Sequence, residues 1–119
     1  MTTNLPHKLP ENRKKEFICF LPDNPNVLEL RSKVKEKHYE GVKPLIASGK
    51  LVAGGPMFNH HPVEGGPAPF KGSVVIYTGE TTQDVRKLIE NDIYATSGVW
   101  NLEQVQIIPV RNHKYIHVQ

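Results

Sequence analysis

The chain has 119 residues, with 15 lysines and arginines against 12 aspartates and glutamates, for a formal net charge of +3. This length supports one domain with one modest hydrophobic core and argues against two domains. The basic excess lies mainly in Lys8–Lys15 and not along the apolar strands, so we expect no nucleic-acid partner. The single cysteine, Cys19, excludes an intramolecular disulfide and any CxxC zinc spacing.

The ends of the chain predict a simple organisation. Residues 1–15 are polar and contain two prolines, which predicts a flexible N-terminal arm before one domain over residues 16–111 and a tail over residues 112–119. The arm has no apolar segment typical of a secretory signal. No apolar run reaches the roughly 18 residues needed to span a bilayer. We therefore expect no membrane partner and a cytoplasmic location.

The first half of the chain predicts a strand, a long helix and a second strand. Glu16–Leu21 is a short apolar run, and the turn that follows ends in Asn26, which we expect to cap the helix. The helix runs to about Ser48, and Pro44 predicts a kink or an early end within it. Leu51–Phe58 begins as a strand, which we expect to break at its Gly-Gly-Pro sequence.

The second half of the chain repeats the pattern after a loop rich in proline and glycine. Gly72–Thr78 predicts the third strand. Thr81 and Asp84 have capping-box spacing and open a helix that ends near Asn91–Tyr94. Leu102–Val110 predicts the fourth strand.

The order β-α-β-β-α-β predicts an α+β, ferredoxin-like fold with an antiparallel sheet and both helices on one face. The first and third strands are apolar on both of their faces, and the helices can cover only one. Because exposed apolar patches usually mark interfaces, we predict a homodimer that packs through the other sheet face.

Three polar residues lie where the helices should be apolar. His38 and Arg31 share the apolar stripe of the first helix, and Asp92 falls within the arc of the second. An unpaired polar side chain that faces a core costs a few kcal/mol, about 1–3 in protein mutational data, so we expect the three to pair with one another.

The ordered residues also resemble the YCII-related (YciI-like) family. The resemblance covers Glu16–Val110 and is carried by Arg31-x6-His38, Leu51-Val52-Ala53-Gly54-Gly55-Pro56-Met57, Phe70-x-Gly72-Ser73-Val74-Val75-Ile76 and Asn91-Asp92-Ile93-Tyr94-x3-Gly98-Val99. It implies a dimeric ferredoxin-like α/β barrel with a catalytic His–Asp pair in a pocket. It also implies lyase or dehydrohalogenase chemistry on small cyclic compounds for some members.

A buried His–Asp pair suits acid–base catalysis, because the carboxylate fixes the imidazole tautomer and stabilises the imidazolium. We assign His38 and Asp92 as the catalytic pair and Arg31 as a bidentate contact to an anionic or carbonyl oxygen of a small-molecule ligand. The alternative at this stage is a closed Arg–Asp–His network that only joins the helices to the sheet.

Four further residues are candidates for substrate binding. Gly55 and Pro56 allow close backbone approach to a ligand, and Tyr94 and Ser97 follow Asp92 at the expected pocket mouth. Adjacent His60 and His61 lack an acidic or cysteine partner at metal spacing, so we expect no metal and no cofactor. Two function classes remain: a cofactor-independent lyase or isomerase, and a non-catalytic dimeric ligand-binding or interaction module with the same pocket.

Overall fold

The structure is a computed structural model that describes residues 14–111. Most of the predicted arm, residues 1–13, and the whole of the predicted tail, residues 112–119, lie outside the described residues. Within the described part, no helix is both long and apolar enough to cross a membrane. The elements are β1 (Glu16–Pro22), α1 (Leu28–Ala47), β2 (Leu51–Phe58), β3 (Phe70–Thr78), α2 (Thr82–Asn91), α3 (Ile93–Thr96), a 3₁₀ turn (Leu102–Gln104) and β4 (Gln106–Val110).

The four strands form one antiparallel sheet in the order β2-β3-β1-β4. The first strand is central and pairs with β3 on one side and β4 on the other, with Ile18 opposite Ile76 and Ile108. This order and the two helical connections are those of a ferredoxin-like fold, so the predicted α+β class is confirmed.

The core lies between the helices and one face of the sheet. Alternate residues of β1, Phe17, Cys19 and Leu21, are buried and pack in one cluster with Val34 of α1 and Ile89 of α2. The side chains between them on β1 are only half-buried. Both long helices therefore cover the same sheet face and leave the other without a cover from this chain's described residues.

The N-cap predicted for the first helix and its early end at Pro44 are both wrong. Asn26 does not cap α1: Val27 is the N-cap residue, and no side-chain cap bond forms there. Asn26 instead takes a left-handed φ of 61°, which asparagine tolerates better than most residues. The helix also passes through Pro44 and ends at Ala47, with Ser48 N–H donating to the Pro44 carbonyl at 3.0 Å. Pro44 thus lies in the last turn and does not end the helix early.

The predicted break in the second strand is also wrong. Leu51–Phe58 is one continuous strand, with register shifts on either side of the Gly-Gly-Pro sequence. Because β2 is at the sheet edge, Pro56 removes no hydrogen bond from a central ladder. The fourth strand is shorter than predicted and begins at Gln106, since Leu102–Gln104 forms the 3₁₀ turn.

The residues after the third strand form two helices. Thr81 and Asp84 make both bonds of the predicted capping box at the start of α2. Asp92 takes an extended conformation that ends α2, and its side chain accepts from Tyr94 N–H to begin the short helix α3. One aspartate is therefore fixed at the junction of two helices.

We expect this core to make the protein sensitive to alkali. Burial raises the pKa of the Cys19 thiol to about 12. Burial first, and the Asp92 charge second, raises the pKa of the Tyr77 hydroxyl above its usual range. The unfolded chain ionises these groups at about 8.5 and 10. Above those values the unfolded state holds fewer protons than the folded state, so stability falls as pH rises.

The measurement is Tm by circular dichroism between pH 7 and pH 11. The expected result is a steady fall of Tm above about pH 9. In Cys19→Ala, the part of the fall that comes from ionisation of the thiol in the unfolded chain, at about pH 8.5, should be absent. A Tm that stays level to pH 11 would contradict this account of the core.

Candidate active site

A cavity of about 730 Å³ lies between α1 and the covered face of the sheet. This volume is in the range of small-molecule sites. It is bounded by α1, the strands β2 and β3, α3 and the segment after it; its lining residues include His38, Arg31, Leu51, Gly55, Pro56, Phe58, Phe70, Ser73, Tyr77, Tyr94 and Trp100. A second cavity of about 490 Å³ near Phe17 and Val110 contains none of the candidate site residues. The first cavity is therefore the candidate active site.

His38 and Asp92 form a hydrogen bond of 2.8 Å between Nδ1 and Oδ1. The same Asp92 oxygen accepts from Tyr94 N–H at 2.8 Å, so the carboxylate is held by the helix cap as well as by the imidazole. The His38 side chain is 16% exposed and that of Asp92 only 5%. Because an ionised carboxylate can only accept hydrogen bonds, Nδ1 of His38 carries the proton that points to Asp92. In the neutral ring, Nε2 is then the nitrogen without a proton.

Two aromatic rings fix the imidazole plane. The Tyr94 ring stacks on His38 with centroids 4.0 Å apart and planes 10° from parallel. The Trp100 ring meets His38 edge-on at 6.2 Å, and its indole N–H donates to Ser73 Oγ at 3.2 Å. With Asp92 on Nδ1, these contacts leave His38 little freedom to rotate within the cavity wall.

The sequence predicts that Arg31 pairs with His38 and Asp92. In the structure, Arg31 pairs with Asp23 instead. Its Nε donates to Asp23 Oδ2 at 2.9 Å, and both side chains are under one-tenth exposed. Its Nη2 donates to Gly72 O at 3.0 Å and to Ser73 Oγ at 2.7 Å. Burial raises the pKa of the Asp23 carboxyl, and the Arg31 charge and hydrogen bond oppose that shift. The predicted three-residue network is thus two separate pairs, the Arg31–Asp23 ion pair and the His38–Asp92 hydrogen bond.

The remaining part of the Arg31 guanidinium faces aromatic rings. Its central carbon lies 4.5 Å from the Phe70 ring centroid and 4.8 Å from that of Tyr94. Nη1 has no hydrogen-bond acceptor among residues 14–111. Arg31 therefore lines the cavity but commits two of its three nitrogens to the fold.

The structure separates the other candidate residues. Gly55, Pro56 and Tyr94 line the cavity, and their contact with a substrate stays a prediction. Ser97 does not line it; it follows the last residue of α3, where the chain leaves the helix through Gly98 at a φ of 90°. Its substrate-contact role is therefore not supported by position.

Three residues of the site were missed or misassigned from the sequence. They are Asp23, Ser73 and Trp100, none of which the sequence patterns singled out as a candidate site residue. The partners of Arg31 at Gly72 and Ser73 lie 41 and 42 positions away, which no local pattern reveals. Among the described residues no cluster of three or more His, Cys, Asp or Glu could hold a metal ion.

A family model of the YCII-related domain matches residues 16–111. The chain belongs to the YCII-related family. Fusaric acid biosynthesis protein 2 of Gibberella fujikuroi is 30% identical over 98 residues, which are 82% of this chain and 94% of that protein. Derivative of benzaldehyde biosynthesis cluster protein C of Emericella nidulans is 40% identical over 84 residues, or 70% of this chain and 86% of that one.

A solved structure in the same fold carries a ligand. It is the 5-chloro-2-hydroxyhydroquinone dehydrochlorinase TftG from Burkholderia phenoliruptrix in complex with 2,5-dihydroxybenzoquinone. This YCII-related chain superposes on it with a TM-score of 0.62 and 25% sequence identity, covering 82% of this chain and 93% of that one. The likeness supports the ferredoxin-like fold described above.

Proposed function

We propose that this YCII-related protein is a small-molecule enzyme that uses His38 and Asp92 to move a proton on a small cyclic compound. The observation that carries the proposal is the 2.8 Å hydrogen bond from His38 Nδ1 to the buried carboxylate of Asp92. The same imidazole ring lines the cavity of about 730 Å³. The dehydrochlorinase relative and the relatives named for biosynthesis clusters support a small-molecule substrate.

In this proposal Nε2 of neutral His38 takes a proton from a ring hydroxyl or an acidic ring carbon of the substrate. Asp92 stabilises the imidazolium that forms. The electron pair left on the substrate then has two outcomes. In the first, the substrate is in its keto tautomer, and the electron pair forms a ring double bond and expels a leaving group such as chloride from an adjacent sp³ ring carbon; the imidazolium then releases its proton to water, and the reaction is a lyase reaction. In the second, the electron pair moves through the ring and His38 returns the proton at another atom, which makes the reaction an isomerisation. Both outcomes balance without a cofactor.

The walls of the cavity fit a flat ring better than a flexible chain. Aromatic residues form much of the lining, and planar ligands gain from offset stacking on such rings; these residues are Tyr94, Trp100, Phe58 and Phe70. Nη1 of Arg31 and the backbone at Gly55 and Pro56 are the proposed contacts to substrate oxygens. The 2,5-dihydroxybenzoquinone held by TftG is a compound of this shape, and we use it as a first probe.

The experiment is a panel of chlorinated hydroquinones and hydroxybenzoquinones that includes 5-chloro-2-hydroxyhydroquinone. Chloride release and deuterium uptake from solvent are followed by ion-selective electrode and proton NMR. We expect turnover of at least one member by the wild-type chain and loss of it in His38→Ala. The matched control is His61→Ala, an exposed histidine of the loop.

Turnover that survives in His38→Ala would contradict the proposal. Ligand binding at the cavity with no turnover of any member would favour the non-catalytic binding module instead.

We also propose that two copies pack through the uncovered sheet face. Paired residues of the three adjoining strands β3, β1 and β4 form an apolar patch there: Ile18, Phe20, Val74, Ile76 and Ile108. Ile108 is 42% exposed in the single chain, and a contiguous patch of this kind usually marks an interface. A second copy of the same face would cover it and complete the dimeric α/β barrel that the family resemblance implies.

Light scattering at micromolar concentration is expected to give the mass of a dimer. Ile18→Lys, at the centre of the patch, should give a folded monomer, because a lysine there places a charge inside the interface. Val63→Lys is the control, since Val63 is 64% exposed in the loop after β2. A monomeric wild-type chain would refute this assembly.

A further inference from the structure

The charges around the cavity are unbalanced in one place. Among the described residues that line it, the only charged or titratable side chains other than the tyrosines are Arg31, Lys35 and His38, and none is an aspartate or a glutamate. The charge of Arg31 is paired with that of Asp23, and His38 is hydrogen-bonded to Asp92. Lys35 makes no ion pair with a carboxylate of residues 14–111. The lysine is therefore the one uncompensated cation on the wall of the cavity in the described part of the chain.

The position of Lys35 on α1 follows from helix geometry. It lies three residues before His38 and three after Ser32, and side chains at this spacing are neighbours on one helix face. All three residues line the cavity. Lys35 Nζ lies 5.7 Å from the Tyr39 ring centroid, and both side chains are exposed, so they form the mouth of the cavity. His38 lies deeper, with its side chain 16% exposed.

Lys35 at the mouth and His38 deeper in the cavity favour a ligand with an anionic group at one end and a proton donor at the other. Neighbouring side chains three apart on a helix have Cβ atoms about 5–6 Å apart, and the flexible four-carbon stem of lysine extends the reach of its ammonium beyond that. The ammonium and the imidazole can therefore contact opposite ends of a ring that bears a carboxylate at one end and a hydroxyl at the other. The Ser32 hydroxyl, one turn before Lys35, adds a donor for the second carboxylate oxygen.

We propose that Lys35 determines specificity by binding the carboxylate of an aromatic or quinonoid acid whose opposite edge is presented to His38. This rests on the function proposed above and names the substrate class of that site. It also reassigns the anion contact from Arg31 to Lys35. Two nitrogens of Arg31 are already bonded within the fold and its charge is already paired, whereas the Lys35 ammonium is free to rotate toward a ligand.

The test uses 4-hydroxybenzoate and its neutral counterpart 4-hydroxybenzamide as probes. Trp100 is the only tryptophan in the chain and lines the cavity, so quenching of its fluorescence reports occupancy. The wild-type protein should bind the acid about tenfold more tightly than the amide, as a charge-assisted hydrogen bond at a partly exposed site provides. Lys35→Met should bring the acid to the affinity of the amide and leave the amide unchanged.

Two control variants make the result specific to the position of the charge. Lys33→Met removes a charge from an exposed residue of the same helix that does not line the cavity, and should keep the preference for the acid. Lys35→Arg should keep most of it. Equal binding of acid and amide by the wild-type protein, a preference that survives in Lys35→Met, or no binding of the acid would each overturn the assignment.

The outcome separates this inference from the function on which it rests. Equal binding of acid and amide by the wild-type protein, together with turnover of neutral quinones that depends on His38, would remove the Lys35 assignment and leave the enzyme proposal standing. A Lys35-dependent preference for the acid that persists in His38→Ala, with no turnover in the panel, would keep the anion site and refute catalysis.

Discussion

His38→Ala is expected to lower turnover by about 10²–10⁴ while the protein remains folded and keeps its oligomeric state, because loss of a general acid–base group typically has this effect. His38 lies in the cavity wall, where its ring contributes less to the core than the fully buried side chains around it. Thermal melting and scattering accompany the kinetic measurement. A variant that unfolds with no loss of specific activity in its folded fraction would make His38 a structural residue.

The partner of His38 needs two variants, since Asp92 has two roles. Asp92→Asn can still accept from Tyr94 N–H and cap α3, but it lacks the charge that stabilises the imidazolium. We expect a large loss of rate with little loss of stability. Asp92→Ala removes the cap as well and should cost about 1 kcal/mol more. A wild-type rate in Asp92→Asn would contradict the assignment of the charge to catalysis, and equal stability loss in the two variants would contradict the role of Asp92 as the cap of α3.

Arg31→Met is expected to destabilise the protein by about 3–5 kcal/mol, because it leaves the buried Asp23 carboxylate without its partner. It also removes the donors to Gly72 O and Ser73 Oγ, so α1 loses its polar link to β3. The difference in free energy of unfolding between Arg31→Met and the wild type should become smaller as the pH falls. Burial raises the pKa of Asp23 and Arg31 opposes this shift, so without Arg31 the carboxyl is more readily neutralised as pH falls.

Two controls accompany this variant in urea titrations. Lys43→Met breaks an ion pair whose side chains are 67% and 70% exposed, and we expect little change there. Asp23→Asn combined with Arg31→Met removes both charges and should recover part of the stability lost in the single variant. An Arg31→Met protein as stable as the wild type would show that this pair does not hold α1 to the sheet.

Much of the fold follows from local patterns in the sequence. Short apolar runs predicted β1 and β3, and the spacing of Thr81 and Asp84 predicted the start of α2. Local patterns were less reliable where the position of a strand in the sheet decides whether that strand continues. Pro56 continues β2 because that strand is at the sheet edge, a fact of topology that the residues around Pro56 do not reveal.

The candidate site was predictable in its members and not in their pairing. His38 and Arg31 were identified because they interrupt an apolar stripe, a pattern that says a side chain faces inward without saying what it meets. Asp23 pairs with Arg31 from the turn after β1, and Asp92 pairs with His38 from the junction of α2 and α3, 54 positions away. Whether a lysine at the helix surface lines a cavity also depends on the opposite wall, as Lys35 illustrates.

The measurement that tests the central claim most directly is nitrogen-15 NMR of His38 in the wild-type protein and in Asp92→Asn, at a pH high enough to leave the ring neutral. The account predicts a proton on Nδ1 and an unprotonated Nε2 in the wild type, and a mixture of the two tautomers in Asp92→Asn. A wild-type ring with its proton on Nε2 would contradict it, because that nitrogen could then not take a proton from a substrate in the cavity.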